Sequence, residues 1–243
     1  MAEKVAIVTG GGRRLGRSIA AALAEAGYDL MVGYRRSEAG ARETVAAARR
    51  LGRRAHMFRS DLAARGESER LAEAALGLFG GVDLLVNNAA LFVEEPLDEL
   101  SDAAAGEALR VNVLAPALLA RSLAASLTER RGAIVNVGSL GGHLFYRRHA
   151  AYSLSKAALA HLTRGLARRY APAVRVNAVA PGGVRFDDEP EGAAGVSLPP
   201  VDRIPLARHA RPEEVAALVL FLAEGARYVT GQTILLDGGR SLV

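Results

Sequence analysis

Apolar runs of strand length alternate with longer helical patterns from one end of the chain to the other, and this rhythm constrains the fold more than any other feature. Val5-Ala6-Ile7-Val8 is apolar at every position, the mark of a strand buried on both faces. Further β segments are read at 28–34, 55–59, 82–86, 133–137, 174–179 and 233–236. Helices are expected over 15–26, 38–51, up to residue 79, 150–170 and 212–223, with one long helical stretch over 101–128. Continuously apolar strands separated by helices imply a parallel sheet, and right-handed crossovers place helices on both its faces. The expected architecture is therefore α/β: one doubly wound domain over residues 1–243, with a seven-stranded parallel sheet. No linker, repeat or low-complexity tract divides it. The one long irregular segment, 181–200, has the length of a functional lid, with a surface insertion of no special role as the equal alternative.

Composition removes several function classes. The absence of cysteine excludes disulfides, thiol catalysis and Cys-ligated metals. The five histidines lack a metal-binding spacing, so no metal is expected; His143 and His149 flank the predicted pocket. A net charge of +5 is spread along helices among acidic residues, which argues against nucleic acid as a partner. No apolar run reaches the ~20 residues of a membrane span, and the start shows no signal peptide, so a cytoplasmic protein is expected. Of the 31 basic residues only Lys4 and Lys156 are lysines, so the internal lysine invites a specific explanation.

Between the first strand and helix stands Thr9-Gly10-Gly11-Gly12-Arg13-Arg14-Leu15-Gly16. Glycines let the backbone approach a pyrophosphate, and the following helix N-terminus offers free N–H groups and a positive dipole. At the end of the second strand, Arg35, Arg36 and Ser37 occupy the place where an NAD site usually carries a carboxylate. Guanidinium forks and a hydroxyl suit a 2′-phosphate, so NADPH is the expected cofactor. Asp61 either caps the segment after the third strand or accepts a hydrogen bond from the adenine amine.

Tyr152 and Lys156 lie one helical turn apart on one face. A phenol ordinarily titrates near pH ~10, and a neighbouring ammonium is expected to lower that value toward the working range. Ser139 follows the strand 133–137 at the carboxyl edge of the sheet, where open α/β sheets bind ligands. Its hydroxyl there suits holding a substrate carbonyl while Tyr152 delivers a proton.

With the Thr9-to-Gly16 turn, Asp61-Leu62, Asn87-Asn88-Ala89, Asn112, Ser139, Tyr152 with Lys156, Pro181-Gly182, Thr230-Gly231-Gln232 and Asp237-Gly238-Gly239, the chain resembles the short-chain dehydrogenase/reductase superfamily along its whole length. The resemblance implies a Rossmann-type fold and a catalytic set of Asn112, Ser139, Tyr152 and Lys156. Asn112 would help hold a proton-relay water, and Lys156 would bind the nicotinamide ribose. It also implies a cofactor lined by Gly10, Arg14, Leu15, Gly16, Arg35, Arg36, Ser37, Asp61, Leu62, Asn88, Ala89, Pro181 and Gly182. Asn88 resembles the residue that steadies the central strand, and relatives form homotetramers through helices matching 101–128 and 150–170.

Arg14 in place of the usual second glycine, Tyr34-Arg35-Arg36-Ser37, Phe92 and the terminal Gly238-Gly239-Arg240-Ser241-Leu242 are similar to pteridine reductases. In that branch the Phe matching Phe92 stacks a pterin, and the Arg matching Arg14 faces cofactor phosphate and substrate. Those enzymes, however, carry Asp at the position of Ser139. A serine cannot play the carboxylate role but suits ketone reduction, so a small carbonyl compound is the expected substrate, with a pterin as the alternative. A non-catalytic dinucleotide sensor is the remaining reading, and it has no need of Asn112, Ser139, Tyr152 and Lys156 together. Phe92 is equally readable as a packing residue.

Overall fold

The computed structural model describes residues 3–186 and 198–243. Seven strands, β1 (Lys4–Val8), β2 (Tyr28–Tyr34), β3 (Ala55–Arg59), β4 (Leu84–Asn87), β5 (Ala133–Val137), β6 (Arg175–Pro181) and β7 (Thr233–Leu236), form one sheet in the order β3-β2-β1-β4-β5-β6-β7. All pairings are parallel, with Ile7 opposite Met31 on one side and Leu85 on the other. The single doubly wound α/β domain expected from the sequence is what the chain forms.

The uniform apolarity of the strands is explained by two cores, because successive side chains on a strand point to opposite faces. Ala6, Val8, Leu30, Val32, Leu84, Val86, Val135 and Val137 enter one cluster, while Val5, Ile7, Met31, Leu85 and Ile134 enter the other. The first core is covered by α1 (Arg14–Glu25), α2 (Glu38–Arg50) and α8 (Pro212–Leu220), through Ile19, Leu23, Val45, Val215 and Val219. The second is covered by α3 (Glu67–Phe79), α5 (Ala115–Ser122) and α7 (Ala150–Tyr170), through Leu71, Ala75, Leu119 and Leu166. Each such wholly buried aliphatic side chain stabilises the fold by roughly 1.5–3 kcal/mol.

Element limits depart from the sequence reading in several places, among them the expected helix 212–223, which is α8 ending at Leu220 and then a π turn over Phe221–Gly225. The fourth strand starts two residues later than expected, and the sixth runs on to Pro181. The stretch 101–128 is not one helix but α4 (Asp102–Leu109), a wide π turn over Arg110–Leu114, α5, and α6 (Ala124–Glu129). Pro116 supplies the reason, since it has no N–H to return to the Asn112 carbonyl four residues earlier. The ladder widens instead, and Ala115 N–H bonds to Arg110 O. Taken across that turn, Asp102–Ser122 is 21 residues long and includes an 18-residue window with mean hydropathy 1.3, enough by length and composition for a membrane span. Within the fold, Leu119 and Ala120 from this stretch are wholly buried in the second core.

The chain leaves β1 toward β2 on one side and β4 toward β5 on the other. The carboxyl ends of these neighbouring strands therefore open a crevice at the switch point of the sheet. Of the expected lid 181–200, Phe186 and Leu198 to Pro200 border that crevice, whereas Asp187, Asp188, Glu189 and Pro190 lie outside the described residues.

Candidate active site

A cleft of about 1440 Å³ runs along the carboxyl edge of the sheet. Its wall brings together Gly10, Arg14, Leu15, Gly16, Arg35, Arg36, Ser37, Asp61, Leu62, Asn88, Ala89, Phe92, Ser139, Tyr152, Lys156, Pro181 and Gly182, all anticipated from the sequence. Asn112 alone among the expected residues lies behind the wall, wholly buried in the π turn.

At one end the turn after β1 is locked to the end of β4. Thr9 Oγ1 accepts hydrogen bonds from the backbone N–H of Asn88 (2.9 Å) and Ala89 (3.0 Å). Asn88 Nδ2 donates back to the carbonyls of Thr9 (2.9 Å) and Gly10 (3.3 Å). The glycines here serve protein packing first: a Cβ on Gly16 would lie 2.2 Å from Gly10 O and 2.6 Å from Asn88 Nδ2. Arg14 stands at φ +47°, a left-handed conformation that normally selects glycine, and its guanidinium lies 5.1 Å from the centre of the Phe186 ring. From there α1 begins with no side-chain cap and no acidic residue in its first turn, so its positive end faces the cleft.

The second end of the cleft corrects a simple view of Arg35 and Asp61. Arg35 pairs with Asp61 at 3.0 Å and reaches Glu107 at 3.8 Å, so part of its charge is already compensated. Asp61 also accepts from Ala63 N–H at 3.1 Å, the local capping role. Arg36 and Ser37 complete this corner.

At the other end the α7 helix presents Tyr152, Ser155 and Lys156. Asn112 clamps two elements: its Oδ1 accepts from Leu91 N–H (2.8 Å), and its Nδ2 donates to Leu91 O (3.0 Å) and Ser155 Oγ (2.8 Å). Lys156, only 3% exposed, donates from Nζ to Val137 O at 2.7 Å. Burial among apolar walls lowers its ammonium to about 7. The Tyr152 phenol moves the opposite way, pushed up to about 12, chiefly by loss of hydration and against a hydrogen bond with Ser139 that lowers it. The expectation that Lys156 lowers this phenol is thus corrected: its Nζ is directed to the β5 carbonyl, and burial of the phenol raises it.

Phe92 meets Tyr152 edge-on (centroids 4.6 Å, 74°) and stacks against His149 at 4.0 Å. His149 is held in turn by Val93 O, 2.9 Å from Nδ1. Gly182 lies where a Cβ would be 3.1 Å from Asp237, which sets the end of β6 against the turn after β7.

Sequence reasoning missed three participants. Pro116 carries a signal, four residues after Asn112. The place of Tyr146 and Arg240 in the cleft carries none: Arg240 is read from the sequence only as part of the terminal run 238–242, and the spacing of Tyr146 from Tyr152 assigns it no role. Yet both line the cleft, with the Arg240 guanidinium 5.9 Å from the centre of the Tyr146 ring. No group of three or more potential metal ligands occurs among the described residues.

Fold and site together define a doubly wound α/β domain whose candidate catalytic residues gather at the carboxyl edge of the sheet. The family model described as enoyl-(acyl carrier protein) reductase matches residues 11–241. An uncharacterized oxidoreductase of Mycobacterium tuberculosis is 39% identical, over 98% of this chain and 92% of its own length. Among solved structures, acetoin dehydrogenase from Enterobacter cloacae superposes with TM-score 0.90 at 33% identity, covering 99% of this chain and 96% of that one. A short chain dehydrogenase from Burkholderia cenocepacia in complex with NADP does so with TM-score 0.90 at 35% identity, covering 98% of each chain. The chain belongs to the short-chain dehydrogenase/reductase superfamily and is an oxidoreductase.

Proposed function

We propose that this oxidoreductase uses NADPH to reduce a small carbonyl compound, with Tyr152 as the proton donor. The observation that carries the reading is that Tyr152, Ser139 and Lys156 share one cleft with the glycine turn. The donor set suits a phosphorylated dinucleotide. The uncapped start of α1 with Gly10, Arg14, Leu15 and Gly16 fits a pyrophosphate, and Arg35, Arg36 and Ser37 fit a 2′-phosphate. Asp61 and Leu62 would border the adenine, and Asn88, Ala89, Pro181 and Gly182 the nicotinamide half, with Lys156 on its ribose. The NADP held by the Burkholderia cenocepacia relative supports the same choice.

NADPH when bound supplies a hydride to the carbonyl carbon. The chain's own part is to hold and protonate the oxygen. Ser139 Oγ, fixed by Gly141 N–H at 3.0 Å, orients it, and Tyr152 gives up its proton to it. A phenol held near 12 is fully protonated at neutral pH, the state that reduction requires. Asn112 keeps Leu91 and the start of α7 in register. A homotetramer through the faces of α4, α5 and α7 belongs to the same proposal, since Leu109, Leu114 and Leu154 are 41–49% exposed there.

A pterin substrate is the second reading, favoured by Phe92 and Arg14 in the cleft. It ranks below because Phe92 already stacks on His149 and because a hydroxyl, not a carboxylate, follows β5. NADPH oxidation measured against diketones, β-ketoesters, biopterin, dihydrobiopterin and folate decides between them. Turnover of the carbonyl compounds alone is expected. Turnover of pterins alone would replace this reading with the second.

A further inference from the structure

The cleft carries an arginine that neither the glycine turn nor the catalytic set uses. Arg240 follows the turn Asp237-Gly238-Gly239, whose glycines stand at φ +65° and +88°. Asp237 is committed to that turn: its carboxylate accepts from Gly239 N–H (3.0 Å) and Ser241 N–H (2.8 Å). The glycines are packed hard against the preceding segment, for a Cβ on Gly238 would lie 2.7 Å from Ile204 and one on Gly239 2.9 Å from Pro205. Arg203, next to Ile204, lines the same cleft as Arg240. Arg35 pairs with Asp61 and Arg148 with Glu94, but no carboxylate among the described residues lies within ion-pair distance of Arg240.

Arg240 instead lies 5.9 Å from the centre of the Tyr146 ring, and its charge lowers the Tyr146 phenol against the burial that raises it. Tyr146 and Ser139 both close on Gly141, where a Cβ would lie 2.8 Å from the Tyr146 ring and 3.4 Å from Ser139 Oγ, and Tyr152 lines the same cleft. Polar groups therefore line the cleft from Tyr152 to a guanidinium that has no ion-pair partner among the described residues. A substrate whose carbonyl oxygen sits between Tyr152 and Ser139 has the rest of its body free to extend toward that guanidinium.

We propose that Arg240, set by Tyr146 and assisted by Arg203, forms an anion subsite, and that the substrates of this enzyme are oxo acids: ketones or aldehydes that also carry a carboxylate. The inference rests on the reductase reading above. In the reaction the hydride passes from NADPH to the carbonyl carbon and the Tyr152 proton to its oxygen, giving the hydroxy acid and NADP+. The carboxylate is held and unchanged. A guanidinium fork fits a carboxylate with two parallel hydrogen bonds, which a neutral ester cannot match.

The test uses matched pairs: levulinate with methyl levulinate, and 4-acetylbenzoate with its methyl ester, each followed by NADPH oxidation. The acid is expected to exceed its ester in kcat/KM by roughly 10- to 100-fold, the worth of a hydrogen bond to a charged group. Arg240→Gln should collapse that ratio, and Arg240→Lys should restore part of it, which separates lost recognition from lost folding. Equal rates for acid and ester, or a ratio unchanged in Arg240→Gln, would overturn the subsite. If no member of either pair is turned over while diketones or β-ketoesters are, the oxo-acid proposal is overturned and the reductase reading stands. If none of these carbonyl compounds is turned over, the reductase reading fails, and the subsite is decided by calorimetric titration of the protein with benzoate and with benzamide. Benzoate binding that Arg240→Gln removes upholds it; binding that does not distinguish benzoate from benzamide ends it.

Discussion

The two titrating groups on α7 are shifted away from each other, and the shifts have consequences that can be measured without any substrate. Lys156 titrates near 7 in the fold and near ~10.4 in an unfolded chain. Below about 7 both states hold the proton, and the cost of burying the ammonium is full and constant. Between the two values the unfolded chain binds a proton that the fold excludes, so stability rises with pH through that window. In the cofactor-free protein the urea midpoint should climb from pH ~7 to pH ~10, and Lys156→Met should flatten the climb. A slope that survives in Lys156→Met would assign it to other groups. Above pH ~10 Tyr152 acts with the opposite sign, because its phenol stays protonated in the fold while the unfolded chain ionises. Arg14 offers a second residue-scale test. Its φ of +47° stores strain that glycine would release, so Arg14→Gly should raise stability by about 0.5–1 kcal/mol. The same change removes a guanidinium from the phosphate end, so NADPH affinity should fall roughly tenfold. Thermal melting and a cofactor titration on the same variant separate the two effects; a fall in stability would show that the Phe186 contact outweighs the strain.

Among the elements, the π turn at Arg110–Leu114 links helix geometry to the site most directly. Asn112 reaches both Leu91 and Ser155 only because the helix widens there, and Pro116 prevents it from closing into a regular α-helix. Pro116→Ala restores the missing donor. The altered chain should melt at the same temperature or higher while kcat falls roughly 10- to 100-fold, as expected when a supporting group shifts by a fraction of a turn. An unchanged kcat would mean that the π turn does not depend on the proline. Strands and most helices were legible in the sequence, because burial on both faces leaves no polar position within Val5–Val8 and little ambiguity of period. The break in 101–128 was not, since Ala- and Leu-rich composition reads as helix on either side and the one proline was passed over. The site was legible where a motif is local, as at Thr9–Gly16 or Tyr152 with Lys156. The sign of the Tyr152 shift was not, because spacing along a helix says nothing of where Lys156 Nζ is directed or how dry the phenol is. Tyr146 and Arg240 were beyond reach for a related reason: only the packing of Ile204 and Pro205 on Gly238 and Gly239 brings the chain's last residues back to the cleft.

For the molecule as a whole, the order β3-β2-β1-β4-β5-β6-β7 puts the glycine turn and Tyr152 on one edge of one sheet. Two apolar cores hold that sheet from both faces, which keeps the two halves of the cleft in fixed relation. The account depends on Tyr152 serving the chemistry and not the binding. Its most direct test pairs kcat for NADPH-dependent carbonyl reduction with the NADPH dissociation constant, in the native chain and in Tyr152→Phe. The account predicts a loss of roughly 10²- to 10⁴-fold in kcat, with cofactor affinity changed by no more than about twofold. A Tyr152→Phe enzyme that turns over at the native rate would contradict it.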